Sequence, residues 1–311
     1  MRHGKTLLAA LLAVVALVET SAAEDVTDCT AGGEAWRAGD VQSAIDAFTL
    51  CIDEGDLAPG TMSAALSNRG NILVAVGAPN HALTDLDHAI ELDANNVAAI
   101  YGRGTAKFDL GDLNGALDDY TRAVNLEPDL VQLRFERANT YSALGRHAEA
   151  VAEYDIVVAV NPLDPVLLTN RGWSQTLLGN YDAAIADYNT ALLSNPSHVL
   201  ALLDRAWTRT LMGDGGAGLA DAEMAVVMAP ERPAALATRA QILAVLGQTD
   251  AALAGFEAAI ALGGDGLVKA YQARLAARGY EPGPADGAYG GRTKVALEQC
   301  VADACNLLQD P

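Results

Sequence analysis

Between Val131 and Asp164 the chain reads VQLRFERANTYSALGRHAEAVAEYDIVVAVNPLD. Apolar residues recur at helical spacing on either side of Gly145, and Pro162 stops the second run, so these 34 residues spell helix, turn, helix. The pattern repeats outward in both directions without a gap, in blocks 63–96, 97–130, 131–164, 165–198, 199–232 and 233–266. The fifteenth place is always glycine: Gly77, Gly111, Gly145, Gly179, Gly213 and Gly247. The twentieth is small (Ala82, Ala116, Ala150, Ala184, Gly218, Ala252), and the twenty-fourth is Leu86, Tyr120, Tyr154, Tyr188, Ala222 or Phe256. A degenerate block, 25–58, carries Gly32, Gly39, Ala44 and Phe48 in matching places, and Pro59 to Met62 separate it from the rest. A single hairpin cannot bury its own apolar face, so the blocks must stack.

Composition agrees. Of 311 residues 51% are hydrophobic, which excludes a disordered chain, while 5% aromatics and 29 glycines leave about one large side chain per hairpin among small ones. Forty acids against twenty bases give a net charge of −20, which opposes attraction to a phosphate backbone. No nucleic-acid partner is expected.

The block resembles the tetratricopeptide repeat (TPR), marked by small residues at the eighth and twentieth places, an aromatic at the twenty-fourth and a late proline, here Pro128, Pro162, Pro196 and Pro230. The resemblance implies an all-α fold, a right-handed TPR superhelix (an α-α solenoid) over 24–266, followed by a small helical C-terminal module. It also implies a groove lined by the first helices. The family's ligand-facing places fall on Asn68, Asn71, Tyr101, Phe108, Phe135, Asn139, Asn170, Trp173, Asp204 and Trp207. Asparagines can bond a peptide backbone and aromatics can take apolar side chains. A protein or peptide partner is therefore expected. The lysine-rich clamp that some members use for acidic tails is absent, which favours a neutral or basic segment. Trp173 and Trp207 also fit a second reading, as packing between adjacent repeats.

Arginine fills the seventh place of every complete block, as Arg69, Arg103, Arg137, Arg171, Arg205 and Arg239. An acid fills the twenty-third in five of them: Asp85, Asp119, Glu153, Asp187 and Asp221, with Gly255 in the sixth. In an antiparallel hairpin turning near the fifteenth residue these two places face each other, so a repeated structural ion pair is expected rather than a ligand site.

The first 23 residues have the parts of a secretory signal: Arg2 and Lys5, an apolar run from Leu7 to Val18, and Ser21-Ala22-Ala23 at the cleavage site. Removing them would leave 18 bases and 39 acids. A periplasmic, secreted chain with no membrane span in its mature part is the expectation. In that oxidising setting the four cysteines should pair. Cys29 and Cys51, the fifth and twenty-seventh residues of the first block, face each other by the same hairpin arithmetic. Of the three connectivities, Cys29–Cys51 with Cys300–Cys305 is the one expected. The second bond requires a helix break, because helical residues five apart sit beyond the bridging distance of about 7 Å.

After Gly266 the period fails. Val268, Gln272, Gly279-Tyr280, Asp286-Gly287, Gly290, Arg292-Thr293 and Leu297 are similar in order to the small peptidoglycan-binding-like domain, here over 267–311. The resemblance makes Tyr280, Asp286, Gly287, Gly290, Arg292 and Thr293 candidate wall-binding residues and peptidoglycan a second candidate ligand. The same residues also serve as a turn and a helix start. Cys300-Val301 stands where the family has Phe-Gln, so a cap on the last repeat is the other reading.

No catalytic constellation stands out. His81, His88, His147 and His198 lie in different repeats, and no zinc-protease, phosphate-loop or nucleophile-elbow motif occurs. The glycine-rich 215–218 lacks a phosphate-binding lysine. No enzyme activity, cofactor or metal is expected. The sequence supports a non-catalytic periplasmic scaffold, or alternatively an accessory subunit that recruits a peptidoglycan hydrolase or synthase to glycan.

Overall fold

The computed structural model describes residues 27–54 and 57–308, so the signal segment expected over 1–23 lies outside the described residues. Fifteen helices and no strands occur among the described residues. They pair as seven hairpins: α1 Thr27–Arg37 with α2 Val41–Glu54, α3 Pro59–Ala75 with α4 Pro79–Leu92, and α5 Val97–Asp109 with α6 Leu113–Leu126. Next come α7 Val131–Ala143 with α8 His147–Val160, α9 Pro165–Leu177 with α10 Tyr181–Ser194, and α11 Val199–Leu211 with α12 Gly215–Met228. The seventh pairs α13 Pro233–Val245 with α14 Thr249–Ala277, and α15 Gly291–Ala302 follows. Pro59 to Met62 form the first turn of α3. The chain divides into two compact units, Met1–Val157 and Val158–Pro311. This is the helical-hairpin solenoid architecture that the period predicts.

Each hairpin turns at its fifteenth residue. Gly39, Gly77, Gly111, Gly145, Gly179, Gly213 and Gly247 all have φ between 73° and 87°, a region costly for any residue with a Cβ. The turn amides bond back onto the ended helix, as in Gly111 N to Phe108 O at 3.0 Å and Asp112 N to Lys107 O at 2.9 Å. Asp112 and Asp214 then cap the second helices through Gly115 N and Ala217 N. The last residue of a block caps the next first helix: Asn96 accepts from Ala99 N, Asp164 from Val166 N and Leu167 N, and His198 from Ala201 N.

Side-chain pairs show that the hairpins are antiparallel. Ser63 Oγ donates to Ala89 O across 26 residues, Arg69 meets Asp85 across 16, and Tyr154 OH donates to Asn139 Oδ1 across 15. The twentieth-place alanines Ala82, Ala116, Ala150, Ala184 and Ala252 are wholly buried, and Tyr120, Tyr154, Tyr188 and Phe256 fill the gap beside them. Burial of one such ring contributes about 2 kcal/mol by area. The fit is close: a Cβ on Gly172 would stand 2.8 Å from the Tyr188 ring.

Both expected disulfides are present. Cys29 joins Cys51 across the first hairpin with Cα atoms 5.3 Å apart, and Cys300 joins Cys305 at 5.0 Å. Between the second pair the helix does break: α15 ends at Ala302, and Ala304 takes φ 51°. Near Gly266, where the period fails, α14 runs on through a kink at Gly264 with φ 59°. By length and composition alone α14 is apolar enough to cross a membrane. Its two halves instead bury Phe256, Ile260, Val268, Tyr271 and Leu275 in one core with Leu297, Cys300 and Leu307.

Candidate functional site

Five arginine–acid pairs form across the hairpins as the spacing predicts. Arg69 bonds Asp85 at 2.7 Å, Arg103 Asp119 at 2.6 Å, Arg171 Asp187 at 2.6 Å and Arg205 Asp221 at 2.7 Å, while Arg137 pairs with Glu153. The paired carboxylate raises the pKa of Arg69 and Arg103 further, with burial opposing it. These residues are structural. A link that the spacing argument missed extends them to the preceding hairpin: Arg69 reaches Thr49, Arg103 reaches Asp87 and Arg205 reaches Asn189. Thr49, Asp87 and Asn189 all occupy the twenty-fifth place of their block.

In the first unit the candidate groove residues lie on α3, α5 and α7. Asn68 and Phe108 are partly buried, whereas Asn71, Tyr101, Phe135 and Asn139 are buried. Asn71 is engaged in stacking: its amide donates to Ala98 O at 3.2 Å, and only glycine fits at 102 beside it. Tyr101 packs on Tyr120 and Phe135 on Tyr154, with ring centroids 5.8 and 6.0 Å apart. Asn139 accepts from Tyr154 OH at 2.6 Å and donates to Glu136 Oε2 at 3.0 Å. Gln132 donates to the other Glu136 oxygen at 2.9 Å. Burial pushes the Glu136 carboxyl above its ordinary pKa, those two donors pull it back, and nearby Asp109 adds to the rise. Among the described residues no Arg or Lys pairs with Glu136. It occupies a ligand-facing sixth place, and writing out that place in every block would have found it.

In the second unit Asn170 and Trp173 are partly buried, and Asp204 and Trp207 are buried. Trp207 forms a cluster with Ala206, Ala222 and Ile242, against which Trp173, Leu219 and Leu308 pack. The Trp207 indole N–H is buried and finds no acceptor among the described residues. Gln241, the ninth residue of the last block and so the counterpart of Trp173 and Trp207, is wholly buried. Its Nε2 donates to Cys305 O at 2.9 Å and its Oε1 accepts from Leu307 N at 2.8 Å. Sequence reasoning missed it because its partners are 64 and 66 residues away.

The C-terminal motif residues gather around Gln272. Its amide nitrogen donates to Asp286 Oδ1, Ala288 O and Thr293 Oγ1, each at 3.1 Å, and its oxygen accepts from Gly287 N at 3.0 Å. Thr293 Oγ1 donates to Pro282 O at 2.9 Å, and Tyr280 OH to Asp303 at 2.9 Å. The bonds from Ala288 N and Gln272 lower the pKa of Asp286. Gly290 and Arg292 are exposed, Gly290 capping α15. Among the described residues no three His, Cys, Asp or Glu side chains come together as a metal site.

Residues 104–145 match a family profile described as TPR repeat, and residues 135–198 and 169–209 match one described as tetratricopeptide repeat. No curated protein sequence matches the chain significantly. Among solved structures, a tetratricopeptide repeat protein from Parabacteroides merdae aligns with a TM-score of 0.64 at 18% identity, covering 89% of this chain and 98% of that one. YrrB, described as a TPR protein with an unusual peptide-binding site, aligns with a TM-score of 0.52 at 22% identity over 62% of this chain and 97% of its own. MamA from Desulfovibrio magneticus gives 0.52 at 17% identity over 55% and 97%. At these identities the likeness is one of fold. Family profiles thus identify tetratricopeptide repeats over residues 104–209, and the solved structures share the helical-hairpin fold.

Proposed function

We propose that the chain is a non-catalytic scaffold that holds an extended segment of a protein partner against its first helices. The observation that carries this reading is the partial exposure of Asn68 and Phe108 at ligand-facing places of the first unit, where the neighbouring Arg103 and Tyr120 are bonded within the hairpin. The partner segment is neutral or basic, because the Glu136 carboxylate has no cation of its own among the described residues. YrrB, of the same fold, is described as having a peptide-binding site. A photo-crosslinking residue in place of Phe108, compared in living cells with one at Leu193, which is 82% exposed on a second helix, tests this reading. Discrete polypeptides joined only through position 108 are expected; equal products from both positions would overturn it.

We further infer a periplasmic location, supported by the leader-like residues 1–23 and the two disulfides. In the C-terminal module the bonds around Gln272 favour a cap on the last repeat, while exposed Arg292 and partly exposed Tyr280 keep the glycan-directed accessory subunit as the second reading. Sedimentation with purified sacculi separates them: the cap stays in the supernatant, and the accessory subunit pellets.

A further inference from the structure

The ligand face of the last repeats is already occupied. On α9, α11 and α13 the ninth-place residues are Trp173, Trp207 and Gln241, and the segment Cys305–Leu308 lies against this row. Gln241 reads the segment's main chain with a matched pair of bonds, to Cys305 O and from Leu307 N, as a groove asparagine or glutamine reads any peptide. Arg274 adds a third main-chain bond, to Leu307 O at 3.0 Å. Leu307 is fully buried, and Leu308 covers the cluster built on Trp207 and Ile242. Beyond Ala302 the described segment is not helical, so it can leave without unwinding α15. The Cys300–Cys305 disulfide ties it beside the groove.

We propose that Cys305–Leu308 is a tethered occupant of the second unit's groove, which a partner segment must displace. The inference rests on the peptide-holding reading above and specifies its ligand: an uncharged segment whose main chain bonds Gln241 and whose two adjacent aliphatic side chains take the places of Leu307 and Leu308. The Trp207 indole N–H supplies a further donor for that segment.

The test compares the full chain with one shortened to end at Cys305, using a fluorescein-labelled, C-terminally amidated peptide of sequence Asn-Leu-Leu-Gln (residues 306–309) as probe. The shortened chain, with unchanged helical circular dichroism, should bind the probe at least tenfold more tightly than the full chain. Its tryptophan emission should become more accessible to acrylamide and recover on saturation with probe. Gln241→Ala in the shortened chain should weaken probe binding at least tenfold. Loss of helical signal on shortening overturns the proposal, because the segment is then part of the core. A shortened chain that stays helical and does not bind, or binds regardless of Gln241, overturns it as well. Crosslinking through position 108 is unaffected by any of these results, so the two readings fail separately.

Discussion

Arg103 closes its hairpin on Asp119 with Nε and Nη2 on the two carboxylate oxygens, at 2.9 and 2.6 Å, while its Nη1 reaches Asp87 of the preceding hairpin at 2.9 Å. One guanidinium thus fixes both the fold within a repeat and the stacking between repeats. Removing Arg103 leaves Asp119 with Lys107 Nζ alone, at 2.7 Å, and takes from Asp87 its partner across the stack, at a cost of about 2 kcal/mol. Arg103→Ala should therefore lower the melting temperature markedly. Arg239→Ala should do so far less, since Gly255 offers it no carboxylate. Equal losses in calorimetry would contradict this account.

His198 makes stability depend on pH. Its Nδ1 accepts from Ala201 N at 3.2 Å at the start of α11, and burial lowers its pKa from 6.5. A depressed folded-state pKa gives stability that is present above the unfolded value and lost as pH falls through the folded one. His198→Asn reproduces the cap that Asn96 makes in an earlier repeat, with no group to protonate. The variant should unfold with a flatter pH dependence between about pH 7 and 5, the difference reaching about 1 kcal/mol, the worth of one cap. Parallel urea-unfolding curves for the two proteins would refute it.

The Cys29–Cys51 bond closes a loop of separation 22 in the first hairpin, which among the described residues has a stacking neighbour on one side only. Chain entropy puts its contribution at about 3 kcal/mol. Cys29→Ser/Cys51→Ser should lose the helical signal of that hairpin at a lower temperature than the rest. A single transition at the original temperature would show that packing alone holds it.

Gly172→Ala sets helix propensity against packing. The methyl gains about 1 kcal/mol in a helix interior, yet its Cβ would stand 2.8 Å from a Tyr188 ring that is fully buried and held through Thr176. Overpacking costs about 2 kcal/mol, so the variant should be less stable by about 1 kcal/mol in thermal melts. A more stable variant would mean that the ring yields.

Local features of the array were legible in the sequence. The glycine turn, the small twentieth residue, the arginine–acid pair and the Cys29–Cys51 disulfide follow from a fixed period and the geometry of one hairpin. What escaped depends on contacts that no period encodes. Asn71 and Asn139 look like groove amides in sequence, but Asn71 bonds Ala98 O where the neighbouring repeat approaches closely at Gly102, and Asn139 bonds Glu136 and Tyr154 of its own hairpin. The pairing of Gln241 with Leu307 joins residues 66 apart, one inside the repeat pattern and one beyond it. At Gly264 the helix bends and resumes at once after a single residue of positive φ.

The first-helix face of the first unit binds an extended segment through partly exposed side chains such as Asn68. The direct measurement is the affinity of peptides enriched on the native chain from a random display library, compared between that chain and Asn68→Ala. The account predicts at least a tenfold loss of affinity with an unchanged melting temperature. Unchanged affinity in a folded variant, or no enriched peptide, would contradict it.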